Sequence, residues 1–76
     1  MKYAILVGSI CWPNQLYVSR FDASNQIVTK TTIYDLILWF KSPKEAHDWI
    51  KRFADRGYGL SSERCEVVSD CVVESR

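Results

Sequence analysis

Residues 42–59 read S-P-K-E-A-H-D-W-I-K-R-F-A-D-R-G-Y-G, and they decide the architecture because they hold the strongest helical signal in the chain. Ser42 is a capping type, Pro43 fits the first helical position, Glu45 completes a capping box, and Gly57 suits the left-handed position past the last turn. Together these predict a helix of about 14 residues. Ala46, Trp49, Ile50, Phe53 and Ala54 fall within one stripe of it, while Lys44, His47, Asp48, Lys51 and Asp55 lie opposite. Such a helix needs an apolar surface to cover, and the flanking sequence supplies a sheet.

Residues 2–10 are rich in β-forming types, W-P-N-Q at 12–15 offers a turn, and L-Y-V-S-R-F-D at 16–22 returns as the second strand of a hairpin. After the polar turn D-A-S-N-Q, the segment I-V-T-K-T-T-I-Y-D-L-I-L-W-F at 27–40 is dense in β-branched and aromatic residues. It is either one long bent strand or two with a break near Asp35. Past the helix and a Gly-Ser loop, C-E-V-V-S-D-C-V-V-E at 65–74 alternates as a final strand. The expected order is β-β-β(β)-α-β. This is an α+β domain spanning 1–76, with an antiparallel sheet of four to five strands and one amphipathic helix packed on one face.

With 76 residues, a formal net charge of +1 and 47% hydrophobic residues, the chain is globular and long enough for one domain. A domain of this size buries only roughly 60% of its unfolded surface and commonly draws on disulfides, a metal or a second subunit. Cys65 and Cys71, on one strand, would lie roughly 20 Å apart, far beyond the ~7 Å that a disulfide spans. Pairing Cys11 with either leaves an odd thiol, which points to a reducing, cytoplasmic compartment. The N-terminal M-K-Y-A-I-L-V-G-S-I-C has the outline of a lipoprotein signal. Its apolar run is only about seven residues, however, and Ile10 stands where cleavage calls for a small side chain. No run approaches the ~18 apolar residues of a membrane span.

A sheet covered by one helix should alternate apolar and polar residues, and these strands do not. In the first strand Leu6 and Ile10 lie on one side, and Tyr3, Ile5 and Val7 on the other. In the segment before the helix Tyr34, Leu36, Leu38 and Phe40 share a face, with Ile33, Ile37 and Trp39 opposite. If Ile5, Val7, Ile37, Trp39 and one of Tyr17 or Phe21 line an uncovered face, burying them is worth on the order of 10 kcal/mol gross, comparable with the whole stability of a small domain. A homodimer or protein-partner interface made of Tyr3, Ile5, Val7, Trp12, Tyr17, Ile37 and Trp39 is therefore the expectation. The alternative is a curled sheet whose edges, N-terminus and last strand fold over that face. Trp12, in a turn, belongs either to the rim of such an interface, where Trp is enriched, or across the end of its own helix.

No pattern for catalysis or metal binding emerges. Cys11, His47, Cys65 and Cys71 lack metal-ligand spacing, and there is no nucleophile elbow, phosphate loop or dinucleotide fingerprint. The expectation is a protein that is not an enzyme and takes no cofactor or metal. Nucleic-acid binding has one handle, a basic edge of Lys41, Lys44, Lys51, Arg52, Arg56 and Arg64 on or beside the helix. Asp48 and Asp55 dilute it, and ten Lys plus Arg are almost balanced by nine Asp plus Glu.

In its size, β-rich start, single capped helix and lack of catalytic residues, the whole chain resembles the small accessory proteins of phages and mobile elements, including the anti-CRISPR proteins. The resemblance is one of general type and carries no residue over. It implies a non-enzymatic inhibitor that blocks a host defence complex, a protein or ribonucleoprotein assembly, by surface contact. The chain lacks the strongly acidic surface by which some such inhibitors mimic DNA. The other reading is a small nucleic-acid-binding module using the basic helix edge.

Overall fold

The computed structural model describes residues 1–8 and 16–74. Strands β1 (Tyr3–Val7), β2 (Leu16–Asp22) and β3 (Ile27–Thr31) are followed by a 3-10 turn at Tyr34–Leu36 and helix α1 (Pro43–Phe53). A second 3-10 turn at Ser62–Arg64 leads into β4 (Cys65–Ser69) and the short helix α2 (Asp70–Glu74). The strands form one antiparallel sheet in the order β3-β2-β1-β4. This is the α+β arrangement that the sequence implies. The W-P-N-Q turn, with Trp12 and Cys11, lies outside the described residues.

The break near Asp35 is real and shapes the whole sheet. Thr31 Oγ1 accepts the Ile33 N–H at 2.9 Å, which ends β3 and starts the turn. The chain then runs extended through 37–40 and enters the sheet. Among the described residues, strands β1 and β2 pair at Leu6↔Tyr17 and Val7↔Leu16. Beyond that point they part, and the extended segment fills the gap. Tyr3 and Phe40 exchange both backbone bonds at 2.9 and 2.7 Å, and Leu38 N–H donates to Val18 O at 3.0 Å.

Alternation along this inserted segment divides the core in two. Leu38 and Phe40 join the helix side, with Ile5, Val18, Val28, Ala46, Ile50, Ala54 and Leu60 buried there. Ile37 and Trp39 join the opposite side, with Ala4, Leu6, Tyr17 and Val68. Rings of Phe21, Phe53, Trp49 and Tyr58 pack edge and tilt on one another under the helix, the closest centroids 4.5 Å apart for Trp49 and Phe53. Both faces of the sheet are apolar, as the pattern required.

The uncovered face inferred from the strands does not exist in that form. Ile5 is fully buried and Val7 half-buried on the helix side, whereas Ile37 and Trp39 lie on the other, which the chain itself covers with residues 37–39 and α2. The last strand is also shorter than expected. It stops at Ser69, and Asp70 Oδ1 takes the Cys71 N–H at 3.1 Å, so the chain turns helical and lays Val73 against the second core. An acidic residue in a first helical turn is the signal that strand alternation masked.

Helix α1 is eleven residues long rather than fourteen. Ser42 accepts the Glu45 N–H at 3.3 Å, and Glu45 reaches back to the Lys41 N–H at 3.1 Å, one residue earlier than in a standard capping box. The helix ends at Ala54, and Asp55 rather than Gly57 takes the left-handed position that follows, with φ 61°. A side chain is tolerated there because Asp55 is held from several directions. Its N–H meets Leu60 O at 2.8 Å, and its carboxylate accepts both the Ser62 N–H and the Ser62 hydroxyl. Gly57 sits within the loop that follows, also at positive φ.

Removing the cap in Ser42→Ala should lower stability by about 1 kcal/mol, read as a shift in the urea midpoint at constant slope. The turn at 22–26 supplies a pH dependence. Asp22 accepts from the Ser24 hydroxyl at 2.7 Å, the Asn25 side chain at 2.9 Å and the Ser24 N–H at 3.1 Å. These bonds, Ser24 hydroxyl first, hold its carboxyl down to about 2. Because the folded value is depressed, the contribution is full above about pH 4 and is lost as the pH falls toward 2. Asp22→Ala should flatten the acid limb of thermal stability between those values and leave it unchanged in shape near neutrality.

Candidate functional site

The residues expected to form one interface are not brought together. Tyr17 and Ile37 are buried and Trp39 is half-buried on the second face, Ile5 and Val7 serve the helix side, and Tyr3 is half-buried with its hydroxyl 3.5 Å from Met1 Sδ. Besides Met1, Ile27 and Val72, the exposed large apolar side chains lie one step earlier in the chain. Ile33 and Leu36 keep 56% and 54% of their surface open, and Tyr34 keeps 36%.

The 3-10 turn explains how this surface is presented. Leu36 N–H donates to Ile33 O at 3.0 Å and Ile37 N–H to Tyr34 O at 3.2 Å. Ser19 Oγ donates to Leu36 O at 2.7 Å, tying the turn to β2. Ile33 enters the turn in extended conformation and Leu36 closes it, and both are exposed. The turn is thus fixed through its backbone, which leaves its two aliphatic side chains in water.

One flank is aromatic and polar. The Tyr34 ring packs 5.2 Å from the Trp39 ring, and the Lys2 ammonium lies 4.5 Å from the Trp39 centroid and 5.3 Å from that of Tyr34. Tyr34 donates its hydroxyl proton to Glu74 Oε1 at 2.9 Å, fastening α2 to the turn. Trp39 therefore acts as a floor for Lys2 and Tyr34 rather than as a free contact residue. The strand pattern hid this because an alternating reading through Asp35 assigns Tyr34 to the face of Leu38 and Phe40.

The six basic residues are spread along the molecule. Lys44 pairs with Asp48 across an exposed helical turn at 3.7 Å. Lys41, Lys51 and Arg52 are exposed, Arg52 lying 5.6 Å from the Phe53 ring centroid, and Arg56 reaches the Lys51 carbonyl at 3.5 Å. Arg64 stands apart, at the foot of β4, beside a shallow groove of about 510 Å³ lined also by Val7, Leu16, Lys30 and Leu60. The Lys30 amine there already donates to Gly59 O at 2.8 Å.

Among the described residues no group of three or more His, Cys, Asp or Glu is placed to hold a metal ion, and no helix is long and apolar enough to cross a membrane. His47 is exposed on α1. The Cys65 Sγ points at Ser61 O, 3.2 Å away, and burial, reinforced by the negative charge of Asp55 and opposed by Lys30, pushes its thiol up. Comparison of the chain with protein-family models, curated proteins and solved structures found no match.

Cys65 and Cys71 are both free. Cys71 is exposed and Cys65 half-buried as a stabilised thiol, so iodoacetamide at neutral pH should label Cys71 before Cys65 by peptide mass spectrometry. Cys65 should be labelled only slowly until the protein is unfolded.

Proposed function

We propose that the chain is a non-enzymatic protein-binding module that acts by surface contact through the turn bearing Ile33, Tyr34 and Leu36. The observation that carries this reading is the pair of large aliphatic side chains, each more than half exposed, on a turn whose backbone is hydrogen-bonded into the sheet. Covering such side chains is favourable at roughly 25 cal/mol per Å². A rigid turn also loses little conformational freedom on binding. Lys2 and Glu74 beside it provide the charged rim typical of protein interfaces.

The partner class follows from the general resemblance, in size, β-rich start, single capped helix and lack of catalytic residues, to anti-CRISPR proteins: a host defence complex whose working surface this small domain would occlude. The test is a phage-plating assay in cells with active CRISPR interference. Expression of the chain should restore plating, and the Ile33→Glu, Leu36→Glu double variant should abolish that effect. At such exposed sites stability should change by only about 0.5 kcal/mol or less per substitution. Activity that survives the double variant but falls steeply with salt in a binding assay would instead assign function to the basic side chains of α1.

A further inference from the structure

The sheet has two edges, finished in different ways. At the β3 edge, Val28 N–H donates to Tyr58 O at 2.8 Å. The Lys30 ammonium lies 3.5 Å from Val28 O and 2.8 Å from Gly59 O. Both outward groups of Val28 are thus taken and the edge carries a lysine, which guards this strand against addition of another.

Among the described residues, the β4 edge is open. Tyr3 gives both backbone groups to Phe40, so Tyr3, Ile5 and Val7 face away from β4, while Lys2, Ala4, Leu6 and Gly8 face it. The bonds from Asp70 N–H to Lys2 O (2.9 Å) and from Gly8 N–H to Arg64 O (3.1 Å) follow this alternation. Glu66 and Val68, opposite Leu6 and Ala4, therefore bond inward, and Cys65, Val67 and Ser69 turn their backbone groups outward. Cys65 N–H is used by Ser62 O, and Ser69 C=O opens the first turn of α2. What remains is Val67 N–H, Val67 C=O, Ser69 N–H and Cys65 C=O, which none of the described residues meets.

We propose that this edge is a homodimerisation site, at which a second copy of β4 adds antiparallel about a two-fold axis through Val67. In that register Val67 faces Val67 and the two exchange both backbone bonds. Ser69 N–H of each copy meets Cys65 C=O of the other. The unpaired groups thus match their own set, which an isologous interface requires. Moving the axis one residue either way sets the Val67 C=O against the occupied Cys65 N–H, or the Val67 N–H against the occupied Ser69 C=O. The self-complementarity belongs to one register.

That register also places Arg64 of each copy across from Asp70 of the other, two cross-strand pairs of opposite charge. Arg64 is exposed, and Asp70 uses one carboxylate oxygen on the Cys71 N–H. The opposing contribution comes from Glu66, which lies diagonal to Glu66 of the other copy at roughly 7–8 Å. The product is an eight-stranded sheet with both α1 helices on one face. This interface is separate from the turn at Ile33–Leu36 and stands or falls independently of it.

The experiment is sedimentation velocity in reducing buffer from about 5 to about 500 μM, on the wild type, Arg64→Glu, Asp70→Lys and an equimolar mixture of the two variants, each shown folded by circular dichroism. The wild type should dimerise with concentration. Each variant alone sets like charges opposite one another at both ends and should weaken dimerisation about tenfold or more. The mixture restores an opposite-charge pair at both ends and should recover dimer. In parallel, Val67 and Ser69 amides should gain hydrogen-exchange protection as concentration rises. A wild type that stays monomeric overturns the proposal, as does a dimer that mixing fails to rescue or that leaves the Val67 amide unprotected.

Discussion

The backbone exchange between Tyr3 and Phe40 is the constraint on which the rest of the fold depends. It holds β1 and β2 apart below Leu6 and Tyr17, and it draws the chain after the 3-10 turn into the opening. Without that insertion β1 would carry unpaired groups in the middle of the molecule, at a cost comparable to lost hydrogen bonds. With it, four consecutive residues, Ile37 to Phe40, deliver side chains alternately to two cores. A 76-residue chain thereby buries residues on both faces of one sheet.

The same insertion sets where the molecule can meet others. Because residues 37–39 and α2 take the second face for themselves, the leftover apolar surface is displaced to the turn that feeds them, at Ile33 and Leu36. Lys2, Tyr34, Trp39 and Glu74 close the flank of that turn by stacking and hydrogen bonding. The result is a small apolar centre against a charged border, and the proposed protein contact rests on that arrangement. At the β4 edge the backbone groups of Val67 are met by none of the described residues, and the proposed pairing with a second copy rests on them.

Much of this architecture is readable in the chain itself. The cap at Ser42, the stripe from Ala46 to Ala54 and the hairpin strands all follow from local chemistry, because capping types, helical spacing and β-branched runs act over a few residues, whereas the break near Asp35 was one of two readings that the sequence left open. Apolar residues on both sides of β1 likewise announce that both faces need covering, though they point first to a partner rather than to the second core of the chain's own residues. Local pattern failed where two local solutions compete. The run after Ser69 alternates as a strand would, yet Asp70 begins a helix, and Asp55 rather than Gly57 takes the left-handed position because Ser62 and Leu60 hold it there.

What the sequence determined by itself is the class of fold, the position of its helix and the requirement that both sheet faces be covered, since these rest on periodicity and on the amount of apolar surface. Only the tertiary structure decided which segment does the covering. Whether Ile5 shares a face with Trp39, as alternation counted along separate strands suggested, depends on how two strands distant in the chain are registered. A shift of one residue exchanges the faces. That register is set by the Tyr3 and Phe40 backbone pair, a contact between residues 37 positions apart, and no local preference encodes it.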